Sequence, residues 1–216
     1  MLIRSWDRGS EAEWRQWLAG RDFGVLAANN PDGGPLLVPT HFLLDAGAGQ
    51  ILLHLAAPNP LLAAVRADPR VTLAVTDDYA FAPGHWRPTQ VPTSYYASVQ
   101  FDCRAEVLDD PAAKAEILNR QLAHFQPETP EARVVPGEHP YGPQLSGLRG
   151  LRLTVSQVRA KFKYDDKLTP EQQAAAGRRL AERNGPGDPG AREQLLRRLA
   201  RRGDCPAGLE PTGPPN

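Results

Sequence analysis

Apolar residues in this chain gather in short strand-like runs separated by turn-forming residues. Phe23 to Ala28 is the first run, Leu36 to Leu44 the second and Gln50 to Ala56 the third. The clusters Asn29 to Gly34 and Asp45 to Gly49 lie between them. Tight turns joining three consecutive runs predict an antiparallel meander. Val71, Leu73 and Val75 alternate as a half-buried strand, and Tyr95 to Val107 reads as a longer one. Leu148 to Tyr164 alternates well from Leu151 to Val155 and then changes phase near Gln157, as a bulge would cause.

Helical spacing appears between and after these runs. Ser10 with Glu13 forms a capping box ahead of Trp14, Trp17 and Leu18, which share a face. Asn59 caps a short helix with Pro60 at its first position, where the missing N–H costs nothing. Leu61, Leu62 and Val65 form its apolar face, and Asp68-Pro69 ends it. Asp110-Pro111 opens a helix to about His124, Thr169-Pro170 opens one to Arg183, and Ala191 to Arg202 reads as a short basic helix. The five prolines between Gln126 and Gly147 predict an irregular cover over the surface or a partner subunit. About six strands with inserted and appended helices predict an α+β protein built on a mostly antiparallel β-barrel. The division expected is a barrel domain over 1–185, the basic helix over 186–202 and a disordered tail over 203–216.

Composition changes the picture in two places. Twenty-two prolines and nineteen glycines suit short strands and many turns, and the formal net charge is zero. That balance hides an asymmetry: residues 150–203 hold thirteen Lys/Arg against six Asp/Glu. Cys103 and Cys205 form neither a disulfide framework nor a metal-ligand spacing, which suits a reducing cytoplasm. No apolar run is long enough for a membrane span, the first twenty residues do not read as a signal peptide, and no internal repeat is visible. His41, His54 and His85 with Asp77 and Asp78 lack the spacing of a metal site. Ser94 has no nucleophile elbow around it, so no catalytic triad is assigned.

Four stretches, in order, resemble the PaiB family of FMN-binding split barrels, named for a bacterial negative regulator of protease synthesis and sporulation. His54-Leu55-Ala56-Ala57-Pro58-Asn59-Pro60 stands where that family has His-x-Ala-Arg-x-Asn-Pro. Asp68-Pro69-Arg70-Val71 is typical of split-barrel flavoproteins. Val91-Pro92-Thr93 with Tyr96 is similar to the family's Val-Pro-Thr-Trp-Asn-Tyr, and Lys161-Phe162-Lys163 to its Lys-Phe/Trp-Lys. The resemblance covers about residues 8–185. It implies an FMN-binding split β-barrel with flanking and C-terminal helices, a homodimer, and a flavin at the subunit interface. Oxidoreductase activity and a transcriptional role follow from it only by family.

Under that resemblance the phosphate falls to Asn59 and the helix N-terminus it caps, with Lys161 and Lys163 supplying charge. Thr93 and Tyr96 fall beside the isoalloxazine, His54 beside the ribityl chain or phosphate, and Trp86 over the ring. Each residue also has a plainer reading: a solvated strand edge for the lysines, a satisfied histidine for His54, and barrel-rim packing for Trp86 and Tyr96. The chain departs from the family at Ala57, at Ser94-Tyr95, at Gln100 and at Tyr164-Asp165-Asp166-Lys167-Leu168. Asp165 and Asp166 are expected to repel a phosphate placed beside them. The alternative is therefore a divergent barrel that has lost FMN and acts as a regulatory or interaction dimer. DNA is a further candidate partner, through Arg192, Arg197, Arg198, Arg201 and Arg202 of the basic helix.

Overall fold

The structure, a computed structural model, describes residues 1–31, 33–205 and 211. Among the described residues are seven strands: β1 (Phe23–Ala28), β2 (Leu36–His41), β3 (Leu43–Asp45), β4 (Gln50–Ala56), β5 (Arg70–Ala82), β6 (Thr93–Leu108) and β7 (Leu148–Lys163). Five α-helices accompany them: α1 (Glu11–Leu18), α2 (Pro60–Ala67), α3 (Pro111–Phe125), α4 (Pro170–Arg183) and α5 (Asp188–Arg201). Hydrogen bonding orders the strands β2-β1-β5-β6-β7-β4-β3. The fold is the expected α+β split barrel, a mostly antiparallel sheet with flanking helices. The long strands β5, β6 and β7 each contribute residues to two compact units.

One unit comprises residues 20–75 and 100–158. Here β1 pairs antiparallel with β2, and β4 pairs with both β3 and β7. The expected meander is therefore corrected in one respect: the second run is not a single strand, its Leu36–His41 part pairing with β1 and only Leu43 and Leu44 pairing with the third run. It breaks at Phe42, which is almost fully buried and donates its N–H to the Asp22 carbonyl. The chain passes there from one end of the strand order to the other, which is how a sheet closes on itself. Asn59 caps α2 as predicted, accepting the Leu61 N–H at 3.0 Å, and Asp110 caps α3 by accepting the Ala113 N–H. The proline-rich stretch after α3 is tied back to it. Asn119 both donates to and accepts from the Val134 backbone, and Lys114 Nζ donates to the Leu145 carbonyl.

The other unit comprises residues 1–19, 76–99 and 159–216, as far as these are described. Its core holds Trp17, Tyr95, Phe162, Tyr164, Leu180, Leu195 and Leu199, all at most 1 % exposed. Trp17 meets the edge of Phe162 at 5.9 Å between ring centroids, a favourable aromatic geometry. The capping boxes at Ser10 and Thr169 form as the sequence predicts. In β7 the buried positions move from Leu151 and Leu153 to Ala160 and Phe162, so the expected change of phase is present. Helix α5 begins at Asp188, three residues before its expected start, and packs against α4. Gly187, with φ of +81°, and Gly190 lie so close to the Tyr79 carbonyl and the Asp78 carboxylate that neither position has room for a Cβ. Most of the tail from Gly203 to Asn216, expected to be disordered, lies outside the described residues.

Candidate functional site

The first unit to consider is the one holding His54 and Asn59. His54 lies on β4 and its Nδ1 is 2.7 Å from the Gln121 amide oxygen of α3. Its ring meets that of His41 at 5.1 Å, and His41 also meets Phe125 at 5.1 Å. Burial and the neighbouring His54 hold the His41 pKa below its ordinary value. His54 is thus a hydrogen-bonded, half-buried histidine.

The turn into α2 is equally self-sufficient. Ala57 N–H donates to the Gly147 carbonyl and Asn59 N–H to the Ala56 carbonyl. Leu61 N–H is taken by the Asn59 side chain and Leu62 N–H by the Asn59 carbonyl. Pro58 and Pro60 have no N–H to offer. A helix N-terminus holds an anion through unpartnered donors, and every N–H from Ala57 to Leu62 is already engaged.

The other unit brings four of the expected residues together. Thr93 opens β6, and Lys163 ends β7 with its Nζ donating to Thr93 Oγ1 at 2.8 Å. Both Lys161 and Lys163 lie over the Tyr96 ring, with ammonium groups 5.4 and 5.8 Å from its centroid. Arg8 forms a bridge with Lys161 and Lys161 is buried, so the solvated-edge reading is corrected for that lysine. Lys161 is 9 % exposed and donates to the Leu2 carbonyl at 2.9 Å. Burial first, and then the Lys161 charge, lower the Lys163 pKa. Trp86 lies apart from this group: the Arg183 guanidinium covers its ring at 4.7 Å and His85 meets it edge-on.

Around Thr93 and Lys163 is a cavity of about 200 Å³, completed by Arg4, Trp6, Asp7, Arg87, Asp165 and Lys167. None of these six carries a sequence signal for binding, and Asp165 reads in the sequence as a repulsive charge. Arg87 explains why that expectation needs correction. Its guanidinium makes two parallel bonds to Asp165, of 2.7 and 2.8 Å, and the buried Tyr95 hydroxyl donates to the same carboxylate at 3.0 Å. Asp166 is paired as well, with Arg198 at 2.7 Å. The two acids the sequence sets against a phosphate are spent on arginines of the same unit. Asp7 is the remaining acid of the lining, and burial raises its carboxyl pKa above the usual range. Cations still outnumber that one acid: Arg4, Lys163 and Lys167 are in the lining and Lys161 is beside it, so the lining is electropositive.

Four arginines in and just after α5 are occupied in a related way. Arg198 pairs with Glu13 and Asp166, Arg201 with Glu13, Arg202 with Asp166 and Asp204, and Arg197 with Glu193. Elsewhere in the chain, Ala27, Asn29, Arg70, Thr72, Asp102 and Ser156 are among the residues lining a surface hollow of about 420 Å³. Among the described residues no group of three or more His, Cys, Asp or Glu is placed to hold a metal ion. No helix among them is long and apolar enough to cross a membrane.

The family described as "Putative FMN-binding domain" matches residues 1–157. Among solved structures, the chain is similar to the FAD and haem binding protein of Mycobacterium smegmatis, with a TM-score of 0.57 and 19 % identity over 71 % of each chain. It is similar to a flavocytochrome of Azotobacter vinelandii, with a TM-score of 0.54 and 17 % identity over 74 % of each chain. A conserved hypothetical protein of Mycobacterium tuberculosis gives 0.52 and 20 %, covering 75 % of this chain and 90 % of that one. At such identities the likeness is one of fold. No curated protein matches this chain.

Proposed function

This chain belongs to the "Putative FMN-binding domain" family, and from that premise we propose that it binds FMN with the phosphate in the Thr93–Lys163 cavity. One observation carries the reading. Arg4, Lys161, Lys163 and Lys167 have no carboxylate partner among the described residues, whereas the nearby Arg87, Arg183 and Arg198 are all paired. Unneutralised cations gathered around a hydroxyl suit a phosphate monoester of roughly −1.5 to −2 charge. Lys163, Lys167 and Arg4 would hold the phosphate, Thr93 would offer its hydroxyl, and the Tyr96 ring would flank the ribityl chain. When bound, the isoalloxazine supplies reversible electron or hydride transfer, while the protein orients it and limits water access.

The cavity is smaller than the ~300–1,000 Å³ of sites that engulf a whole drug-sized ligand. It suits the phosphate end, which leaves the ring to be covered by another surface. A second copy of the chain is the cover we propose, and a homodimeric, cytoplasmic oxidoreductase is the fuller form of this reading. A regulatory role of the PaiB kind rests on resemblance. The pairing of α5 arginines with carboxylates of their own chain favours flavin chemistry over DNA contact.

A second reading has its own support. Ala57 stands where the family keeps an arginine, and the donors of that turn are engaged. A barrel that has given up FMN would look the same there. Titration of the full chain with FMN and with riboflavin, read by flavin fluorescence, separates the two. The flavin reading expects FMN to bind at least about tenfold more tightly, the worth of about one charge-assisted hydrogen bond. A colourless protein that leaves the fluorescence of excess FMN unchanged overturns it.

A further inference from the structure

Three groups from three segments converge on the Arg198 guanidinium. Nη1 donates to Glu13 Oε1 at 2.6 Å, Nε to Asp166 Oδ1 at 2.7 Å, and Nη2 to the Trp6 carbonyl at 2.8 Å. Trp6 and its neighbours Arg4 and Asp7 line the cavity; so do Asp165 and Lys167 on either side of Asp166. Arg198 is not in the lining. It is joined to two segments that are, and it is nearly buried, with its side chain 10 % exposed.

The segment from Met1 to Trp6 has little else to hold it. Met1, Leu2 and Trp6 are 41, 71 and 38 % exposed, so it buries little apolar surface. Its other ties are polar: Lys161 Nζ to the Leu2 carbonyl, then a bridge between Arg8 and Lys161 and a bond from Gly9 N–H to the Ala160 carbonyl. The planar fork of an arginine can serve three acceptors in three directions at once, which a lysine ammonium on one flexible stem does poorly. Arg198 and Asp166 both lie beyond residue 157, where the family match ends.

We propose that Arg198 is a positioning residue for the anion cavity. It holds the Arg4–Asp7 segment against the Asp165–Lys167 turn, so that a phosphate-bearing ligand is retained between them. Helix α5, which reads in the sequence as a candidate nucleic-acid element, is in this view a latch on the cavity wall. The ligand's identity rests on the flavin reading above; the latch itself does not.

The test uses the full chain in two arms. Hydrogen exchange of the ligand-free protein follows amides 3–9 in wild type, Arg198→Met and Arg198→Lys. FMN release rates and riboflavin affinity are then measured for the same proteins. Arg198→Met leaves Glu13 to Arg201 alone and Asp166 to the more distant Arg202, so the outcome rests on Arg198→Lys, which keeps the charge and loses the fork. Exchange at 3–9 is expected to rise about tenfold while β1 amides are unchanged. FMN release is expected to quicken by a similar factor, with riboflavin affinity unaltered. Unchanged exchange at 3–9 in Arg198→Lys overturns the latch. Faster exchange with unchanged FMN release, or equal weakening of FMN and riboflavin, overturns its role in phosphate retention. A wild type that ignores FMN overturns the flavin reading alone, because the exchange arm contains no flavin.

Discussion

Arg87 and Asp165 lie 78 residues apart in sequence and meet through two parallel hydrogen bonds, with side chains 6 and 5 % exposed. The Tyr95 hydroxyl completes the carboxylate's shell, and burial pushes that phenol's pKa well above its ordinary value. This pair turns an apparent liability of the sequence into a neutral wall of the cavity. Arg87→Met would strand a buried carboxylate, and a loss of about 3–5 kcal/mol of unfolding free energy is expected. Urea denaturation measures it; a loss below 1 kcal/mol would mean that the pair does not form.

Lys163→Met tests the cation nearest Thr93. Removing one charge-assisted contact to phosphate should weaken FMN binding by roughly 10- to 100-fold, about 1.5–3 kcal/mol. Riboflavin, which lacks the phosphate, should bind as before. Calorimetry with both flavins reads the difference, and equal weakening of the two would place the phosphate elsewhere.

Asp7 gives the cavity a pH dependence. Burial raises its carboxyl pKa, although Lys161 and Lys163 oppose the shift. The folded chain therefore binds this proton more tightly than the unfolded chain does. The resulting stabilisation is present below the unfolded value and disappears as pH rises through the folded one. The anion site also gains a negative charge over that rise. Asp7→Asn should bind FMN on the order of tenfold more tightly at neutral pH, the scale of one pKa unit, with a flatter affinity profile on the acid side. A variant whose profile overlays the wild type would remove Asp7 from the site.

Ala57→Arg distinguishes the two candidate phosphate positions. If the α2 turn held the phosphate, restoring the family's arginine would tighten FMN by about tenfold or more. With the turn's N–H groups engaged, affinity is expected to stay within about twofold. His54→Ala should likewise leave affinity alone and cost about 1 kcal/mol of stability through the lost Gln121 bond.

Cys103 is buried on β6, and desolvation pushes its thiol pKa up to about 12. It should resist alkylation at pH 8 in the folded protein and react only on unfolding. Peptide mass mapping after iodoacetamide treatment, with and without denaturant, checks this.

The sequence by itself determined what is local. Ser10, Asn59, Asp110 and Thr169 cap the helices they were expected to cap, because a cap acts within one turn of backbone. The expected runs became strands, although the one at Val71–Val75 extends to Ala82 and the Leu36–Leu44 run is broken at Phe42, since strand-forming residue pattern is a property of consecutive residues and strand length is not. The order of four short motifs was enough for the split barrel. Only the tertiary structure decided that the Leu36–Leu44 run would break at Phe42 and divide its pairing between two strands, and which carboxylate each arginine would neutralise. It also decided whether the donors at the α2 turn were free. A buried charge takes its meaning from the partner the fold places beside it, and for Asp165 and Arg198 those partners come from distant segments. That is why the residues around Ala57 read as the phosphate corner in the sequence, while the unneutralised cations gather around Thr93 and Lys163.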